Sequence, residues 1–403
     1  MFMTKTFLHA QLFNGVDDHL QPDTYLTVDD HGVITALGTG VPATVAGETI
    51  DLQGKVVIPG LMNVHTHIMS GPADQPGDHL SETEVTYRAL KNLKALLHDG
   101  VTYIRDCGCA FGVDIKLSRL QKAGELGGTE IDGSGRPISI IGGHGDEPQG
   151  LNGESNLGHL VNSASDVRRA VRENFKLGAG NIKVMATGGV MSADDEVDDT
   201  ELTEEEIRVA VQEAHSKHMT VASHAQGNRG IQLSLEAGVD SIEHGIYIDA
   251  DQIQLMKDQG TYLVPTLSPC DKIDRYGKGI VPDYVYRKNA GVKEIFYKNM
   301  RIALNSGINY AVGTDAGTPF NGFTTGTTDE IVLMTEMGLT PYQALLGATQ
   351  NAAKLMQIDD RYGTLAVGKV ADLVVLDADP LTDIHAVQQP DKQVYKKGVL
   401  AED

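Results

Sequence analysis

The 403-residue chain has only three cysteines: Cys107, Cys109 and Cys270. So few in a chain of this length build no disulfide framework. Cys107-Gly108-Cys109 has the outline of a metal or redox pair, but two thiols at a strand end read more simply as small apolar fillers. Basic residues are also scarce, 33 Lys and Arg against 55 Asp and Glu, for a net charge of -22. Such a chain repels nucleic-acid phosphates and anionic lipid headgroups alike, and its acidic surface serves solubility. No apolar run approaches the length of a membrane span. The start, Met1-Phe2-Met3-Thr4-Lys5 followed by His9 and Gln11, is too short and polar for a signal-peptide core. A cytoplasmic protein with neither nucleic-acid nor membrane partner is the expectation. There is no internal repeat of solenoid length. What is present is 41% hydrophobic residues, enough to bury a sizeable core, and a length that accommodates one large domain and one small one.

The central part alternates strand-like and helix-like segments. Strands are expected at 102–105, 137–141, 182–185, 220–224, 241–244, 262–266 and 309–313, with one more before His65. Ser81-Glu82-Thr83-Glu84 spells a capping box, and Gly100 closes the helix it opens. Thr203-Glu204-Glu205-Glu206 opens another, running to His218, and Thr340-Pro341 is an N-cap followed by a first-turn proline. Strand-helix alternation on this scale predicts an α/β fold, a (β/α)8 barrel with polar residues at the C-terminal strand ends. The two ends of the chain instead carry short alternating runs, such as Tyr25-Leu26-Thr27-Val28 and Leu373-Val374-Val375-Leu376. They predict a small β-sandwich assembled from both termini, 1–58 and 362–403, around a barrel at 59–361.

Six side chains at those strand ends carry chemistry: His65, His67, Lys183, His224, His244 and Asp315. In His65-Thr66-His67 the imidazoles are two residues apart, so a regular strand points both the same way. A histidine pair is weak evidence alone; its place after an apolar strand strengthens it. Lys183 lies between Ile182 and Val184-Met185, where a buried ammonium is costly. Taken singly it reads as a lysine snorkelling to a barrel mouth. Beside four histidines and an aspartate, the better reading is a neutral amine that captures CO₂ as an anionic carbamate able to bridge two cations. His224 and His244 end consecutive strands, and Asp315 supplies a carboxylate at the last one. Mixed imidazole and oxygen ligation suits two divalent cations, Zn²⁺ first, with Mn²⁺ or Fe²⁺ as the other candidates. His79, His98, His159, His215 and His218 lack this context.

With these residues in place the chain resembles the amidohydrolase superfamily. That superfamily carries His-x-His after strand 1, a carbamylated lysine after strand 4, histidines after strands 5 and 6, and an aspartate after strand 8. Within it the chain is most similar to the Xaa-Pro dipeptidases and imidazolonepropionase-related members. Gly142-Gly143-His144-Gly145-Asp146, the run from Lys183 to Ser192, and Ala237 to Gly245 carry that likeness. The resemblance implies a first ion on His65, His67 and Asp315, a second on His224 and His244, and the Lys183 carbamate bridging both. It implies that Asp315 takes a proton from a metal-activated hydroxide and passes it to the leaving amine, while His144 contacts the substrate carbonyl. It further implies a homo-oligomer. Where many of these dipeptidases have a tyrosine that helps hold the substrate, this chain has Gln226. Asp146, Gln226, Arg229 and Tyr247, in strand-to-helix loops, are the candidate substrate contacts; Arg229 is of the type that binds a carboxylate, though it reads more simply as an ordinary helix-start arginine. The expected reaction is hydrolysis of an amide in a small dipeptide or N-acyl amino acid. The alternatives are a one-metal lactam-opening hydrolase or deaminase, an ester or phosphotriester hydrolase on the same centre, and an inactive scaffold.

Overall fold

A computed structural model describes residues 4–74, 79–150, 152–153 and 155–401. Leu61–Thr66, Val101–Asp106 and Glu130–Gly133 form a three-stranded parallel sheet. A second, seven-stranded sheet runs in the order His159–Val161, Ile138–Ile140, Asn181–Met185, Thr220–Ala225, Ser241–His244, Tyr262–Val264 and Asn309–Tyr310, every pair parallel. Backbone hydrogen bonds join both edges of the three-stranded sheet to the larger one. The Gly180 amide donates to the Gly133 carbonyl at 3.0 Å; the Val64 amide donates to Val312 at 2.9 Å, and the Thr314 amide to His65 at 3.1 Å. Most of these strands are buried on both faces, as parallel strands flanked by helices must be.

The helix starts follow the sequence signals. Ser81 and Glu84 form a capping box on Glu82–His98, as do Thr203 and Glu206 on Glu204–His215, and Thr340 caps Pro341–Gly347 with the proline in its first turn. Two expectations shift. The strand expected at 137–141 is present as Ile138–Ile140, beside Asn181–Met185, but an unexpected strand, Glu130–Gly133, precedes it beside Val101–Asp106. Gly135, at φ 71°, breaks the run between them, and the charges of Glu130 and Asp132 hid the first piece from a hydrophobic reading. The helix expected to reach His218 ends at His215, because the amides of Lys217 and Met219 both turn back to the Ala214 carbonyl.

The terminal segments share one eight-stranded sheet. Val56–Pro59 pairs antiparallel with Leu373–Leu376, so the first strands of the chain meet the last directly. Alternation along these two strands explains why the sheet stays fastened to the rest. Val57, Leu373 and Val375 point into a core with Phe7, Leu12, Leu26 and Ile34, whereas Val56, Ile58, Val374 and Leu376 point into the main core. Phe7 meets the edge of the Tyr395 ring at 5.0 Å. Among the described residues no helix is long and apolar enough to cross a membrane.

Glu130 ties the parallel sheet to the terminal one. Its carboxylate accepts the Tyr362 hydroxyl at 2.6 Å and pairs with Lys397 at 2.6 Å and Lys396 at 3.4 Å. Burial opposes its charge, but these lysines and the hydroxyl hold its pKa down to about 2. The stabilisation is therefore complete above the ordinary glutamate range and is lost as the pH falls toward 2. Glu130→Gln is expected to cost about 1–3 kcal/mol at pH 7. In urea titrations at pH 7 and pH 3, the gap between variant and parent should shrink at the lower pH.

Candidate metal centre

His65 and His67 leave the end of Leu61–Thr66, Lys183 lies inside Asn181–Met185, and His224 and His244 end their strands. Asp315 follows the last strand. These strand ends converge: the His65 ring centroid is 5.4 Å from that of His67 and 5.1 Å from that of His244, and His224 and His244 are 4.7 Å apart. His67 Nε2 lies 3.1 Å and His65 Nε2 3.4 Å from Asp315 Oδ1. Lys183 Nζ is 3.2 Å from His65 Nε2.

Each imidazole is gripped at one nitrogen by an acceptor outside the cluster. His65 Nδ1 lies 2.6 Å from Glu243 Oε2, and His67 Nδ1 3.0 Å from the Gly108 carbonyl. His244 Nδ1 lies 2.6 Å from Thr266 Oγ1, whose own proton goes to the Pro265 carbonyl, and His224 Nε2 lies 3.1 Å from the Gly188 carbonyl. These contacts orient the rings, so the other nitrogens turn inward: Nε2 of His65, His67 and His244, and Nδ1 of His224; burial opposes a charge on His67, but its contact with Asp315 raises its pKa. Burial pushes the pKa of His224 and His244 well below the usual range, and neighbouring positive groups add to that. Both therefore stay neutral, the form that binds metal. Burial disfavours a charge on Asp315, but hydrogen bonding to His65 and His67 outweighs it and holds the carboxyl well below its ordinary value.

His65, His67 and Asp315 bring their donor atoms within 4.8 Å of one another. Lys183 is 1% exposed, and among the described residues no carboxylate pairs with it. Inward-facing ring nitrogens, a carboxylate and a buried amine fit a metal centre: their contacts with one another, His67 with Asp315 and Lys183 with His65, are ones that a cation would replace.

Beneath the centre lies a buried ion pair. Arg105 Nη2 donates to Glu243 Oε1 at 2.7 Å, Nη1 to Ser241 Oγ at 3.0 Å and Nε to the Val64 carbonyl at 2.6 Å. Burial works against the Glu243 charge, yet Arg105 and His65 hold its pKa far below the usual carboxylate range. Beside the centre, His144 stacks on His224 with centroids 4.3 Å apart. Its Nδ1 is 2.9 Å from Asp195 Oδ2, and its backbone amide donates to Glu201 Oε1 at 2.7 Å. Asp195 is held in turn by the Gly189 amide at 3.0 Å and the buried Lys288 ammonium at 3.2 Å.

A cavity of about 450 Å³ opens onto the cluster. All six candidate ligands line it, as do His144, Asp146 and Gln226. Arg229 and Tyr247 are not among its lining residues; Arg229 is exposed on Asn228–Ala237.

The model of the amidohydrolase family matches residues 56–401. The chain belongs to the amidohydrolase family. Among solved structures, this amidohydrolase is similar to a Xaa-Pro dipeptidase with methionine bound in the active site: TM-score 0.90, 31% identity, 99% of this chain and 100% of that one. It is likewise similar to a prolidase complexed with N-methylphosphonate-L-proline, at TM-score 0.89 and 30% identity, over 99% of this chain and 100% of that one. Ochratoxinase of Aspergillus niger is 31% identical over 86% of this chain and 75% of its own length.

The sequence reading of this amidohydrolase had not singled out Arg105, Glu243, Thr266 or Asp195 as supports. The first two had left a signal, a charge of each sign inside an apolar strand. Glu243→Gln strands the Arg105 guanidinium and loosens the grip on His65. The expected outcome is a loss of about 3 kcal/mol in stability and at least about tenfold weaker metal binding. Thermal unfolding and competition with a chelating dye would check both.

Proposed function

We propose that this amidohydrolase is a metal-dependent hydrolase that cleaves the amide bond of a small dipeptide or N-acyl amino acid. The observation that carries the reading is the four imidazoles, each clamped outside and turned inward around Asp315 and Lys183. The likeness to a Xaa-Pro dipeptidase, a prolidase and ochratoxinase supports amide hydrolysis. We read the two parallel sheets as one (β/α)8 ring at 59–361, supported by the hydrogen bonds at both edges. The segments 1–58 and 362–403 then form one terminal β domain, supported by the pairing of Val56–Pro59 with Leu373–Leu376.

His65, His67 and Asp315 would hold one divalent cation and His224 and His244 a second, with Lys183, as a carbamate, between them. The cations, Zn²⁺ for preference, supply Lewis acidity that makes water nucleophilic near neutral pH. Asp315, ionised at the cavity floor, accepts the proton of the attacking water and returns it to the leaving amine. His144, fixed by its contact with Asp195 and its stacking on His224, faces the carbonyl oxygen. The apolar walls, among them Met69, Met185, Ile246 and Phe296, exclude water from the reacting bond.

The test is a library of dipeptides and N-acyl amino acids, assayed with Zn²⁺ or Mn²⁺ and bicarbonate, beside a metal count per chain. Two ions per chain and amide hydrolysis are expected. Lys183→Ala should fall below two ions and lose at least about 1,000-fold in kcat, since its loss removes the bridge and not merely a contact. Full activity in Lys183→Ala with one ion bound would instead favour the one-metal lactam-opening or deaminating reading.

A further inference from the structure

The charge of the substrate is written into the cavity wall. Buried carboxylates need a cationic or multiply donating partner. Among the described residues lining this cavity there is no arginine, and the one lysine is Lys183 at the centre itself. The residues outside the description (1–3, 75–78, 151, 154 and 402–403) include no lysine or arginine in their sequence. Basic side chains nearby already hold acids: Arg88 pairs with Asp74, Arg287 with Glu196 at 3.2 Å, and Lys288 with Asp195 at 3.2 Å. The lining itself adds acids: Asp74, Asp146, Glu147 and Asp194.

Gln226 supplies the second observation. Its main chain is pinned, the amide donating to Thr187 Oγ1 at 3.0 Å and the carbonyl accepting from the Tyr247 amide at 3.0 Å. The residue lines the cavity and is 7% exposed, and its buried side-chain Oε1 has no hydrogen-bond partner. An unmet buried acceptor is costly, so it marks a place where a donor belongs. A carboxamide offers neutral donors and an acceptor. Its oxygen repels a carboxylate but accepts an N–H from another carboxamide, whose carbonyl can take the glutamine N–H in return.

We infer that this site selects substrates whose end at Gln226 is an uncharged amide, that is, amidated dipeptides and N-acyl amino-acid amides, over the matching free acids. The inference rests on the hydrolytic reading above and names the charge of its substrate.

Matched pairs test it: Ala-Pro with Ala-Pro-amide, and N-benzoyl-leucine with its carboxamide. They are assayed on the two-metal protein, with mass spectrometry to assign the bond cleaved. Methylphosphonyl-prolinamide and methylphosphonyl-proline give the same comparison as binding, by calorimetry. The carboxamide member should lead by at least about tenfold in kcat/KM and in affinity, a gap of about 1.4 kcal/mol. Gln226→Arg should reverse the preference while the metal count stays the same. Free acids that react as fast as their amides, or a Gln226→Arg protein with full metal and an unchanged ratio, would overturn the inference and leave the hydrolytic reading standing. If the variant fails to fold, the parent's ratios alone decide. If the metal-loaded parent neither cleaves nor binds any member, the hydrolytic reading falls and the inference falls with it.

Discussion

The ion pair of Arg105 with Glu243 lies under everything the site can do. Both side chains are fully buried, where separating either charge from water is expensive. The pair survives because nearly every polar atom is used. The guanidinium reaches Val64 on one strand, and Ser241 and Glu243 on another. The carboxylate takes Arg105 and Ser241 on one oxygen and His65 on the other. A strong charge among the parallel strands thereby sets the direction of the His65 ring, and does so from three strands that are remote in sequence. Replacing the pair with apolar side chains would pack as well, but it would leave His65 free to turn.

Backbone strain is the second part of the device. His244, Thr266 and Asp315 all adopt positive φ, 72°, 48° and 54°, a region that ordinary side chains avoid. In these conformations the chain turns sharply where a strand ends. Thr266 starts the helix Leu267–Tyr276 without a side-chain cap of its own. Glu330 fills that role from another helix, accepting from the amides of Leu267 at 2.7 Å and Ser268 at 2.8 Å. Burial raises the Glu330 pKa to about 7 against these bonds, so the clamp is held at a cost in desolvation. The strained Thr266 is then in place to hold His244. Site and scaffold are thus coupled through side chains far from the reacting bond.

The convergence of the candidate ligands was legible in the sequence because polar residues cluster at the ends of apolar strands. Lys183 is the clearest case: an ammonium in a five-residue strand whose every position is buried. The helix starts were legible too, since Ser81 with Glu84 and Thr203 with Glu206 satisfy a local geometric rule. What could not be read was whatever depends on three-dimensional partners. Glu130–Gly133 hid as a strand because its two acids face partners elsewhere in the chain, Glu130 toward Lys396 and Lys397. Arg229 could have been a carboxylate anchor by type, but the simpler reading holds: it lies exposed in the first turn of Asn228–Ala237, outside the cavity. Thr266 and Asp195 act only by touching histidines that are 22 and 51 residues away. Local pattern fixes which residues are odd; only packing says what they serve.

His65 belongs to two groups that could gather a cation, and electrostatics decides between them. On its outer side stand Cys107 and Glu243; on its inner side, His67 and Asp315. Burial pushes the Cys107 thiol up to about 12, so it stays protonated and offers a poor ligand. Glu243 is already neutralised by Arg105, whose fixed positive charge would repel a divalent ion arriving there. On the inner side Asp315 touches His65 and His67, with no lysine or arginine paired to it among the described residues, and the rings of His224 and His244 are close. One carboxylate serves as a support and the other faces the cavity as a candidate ligand. That division of labour, and not the mere count of histidines, makes one face of His65 a structural contact and the other the candidate metal face.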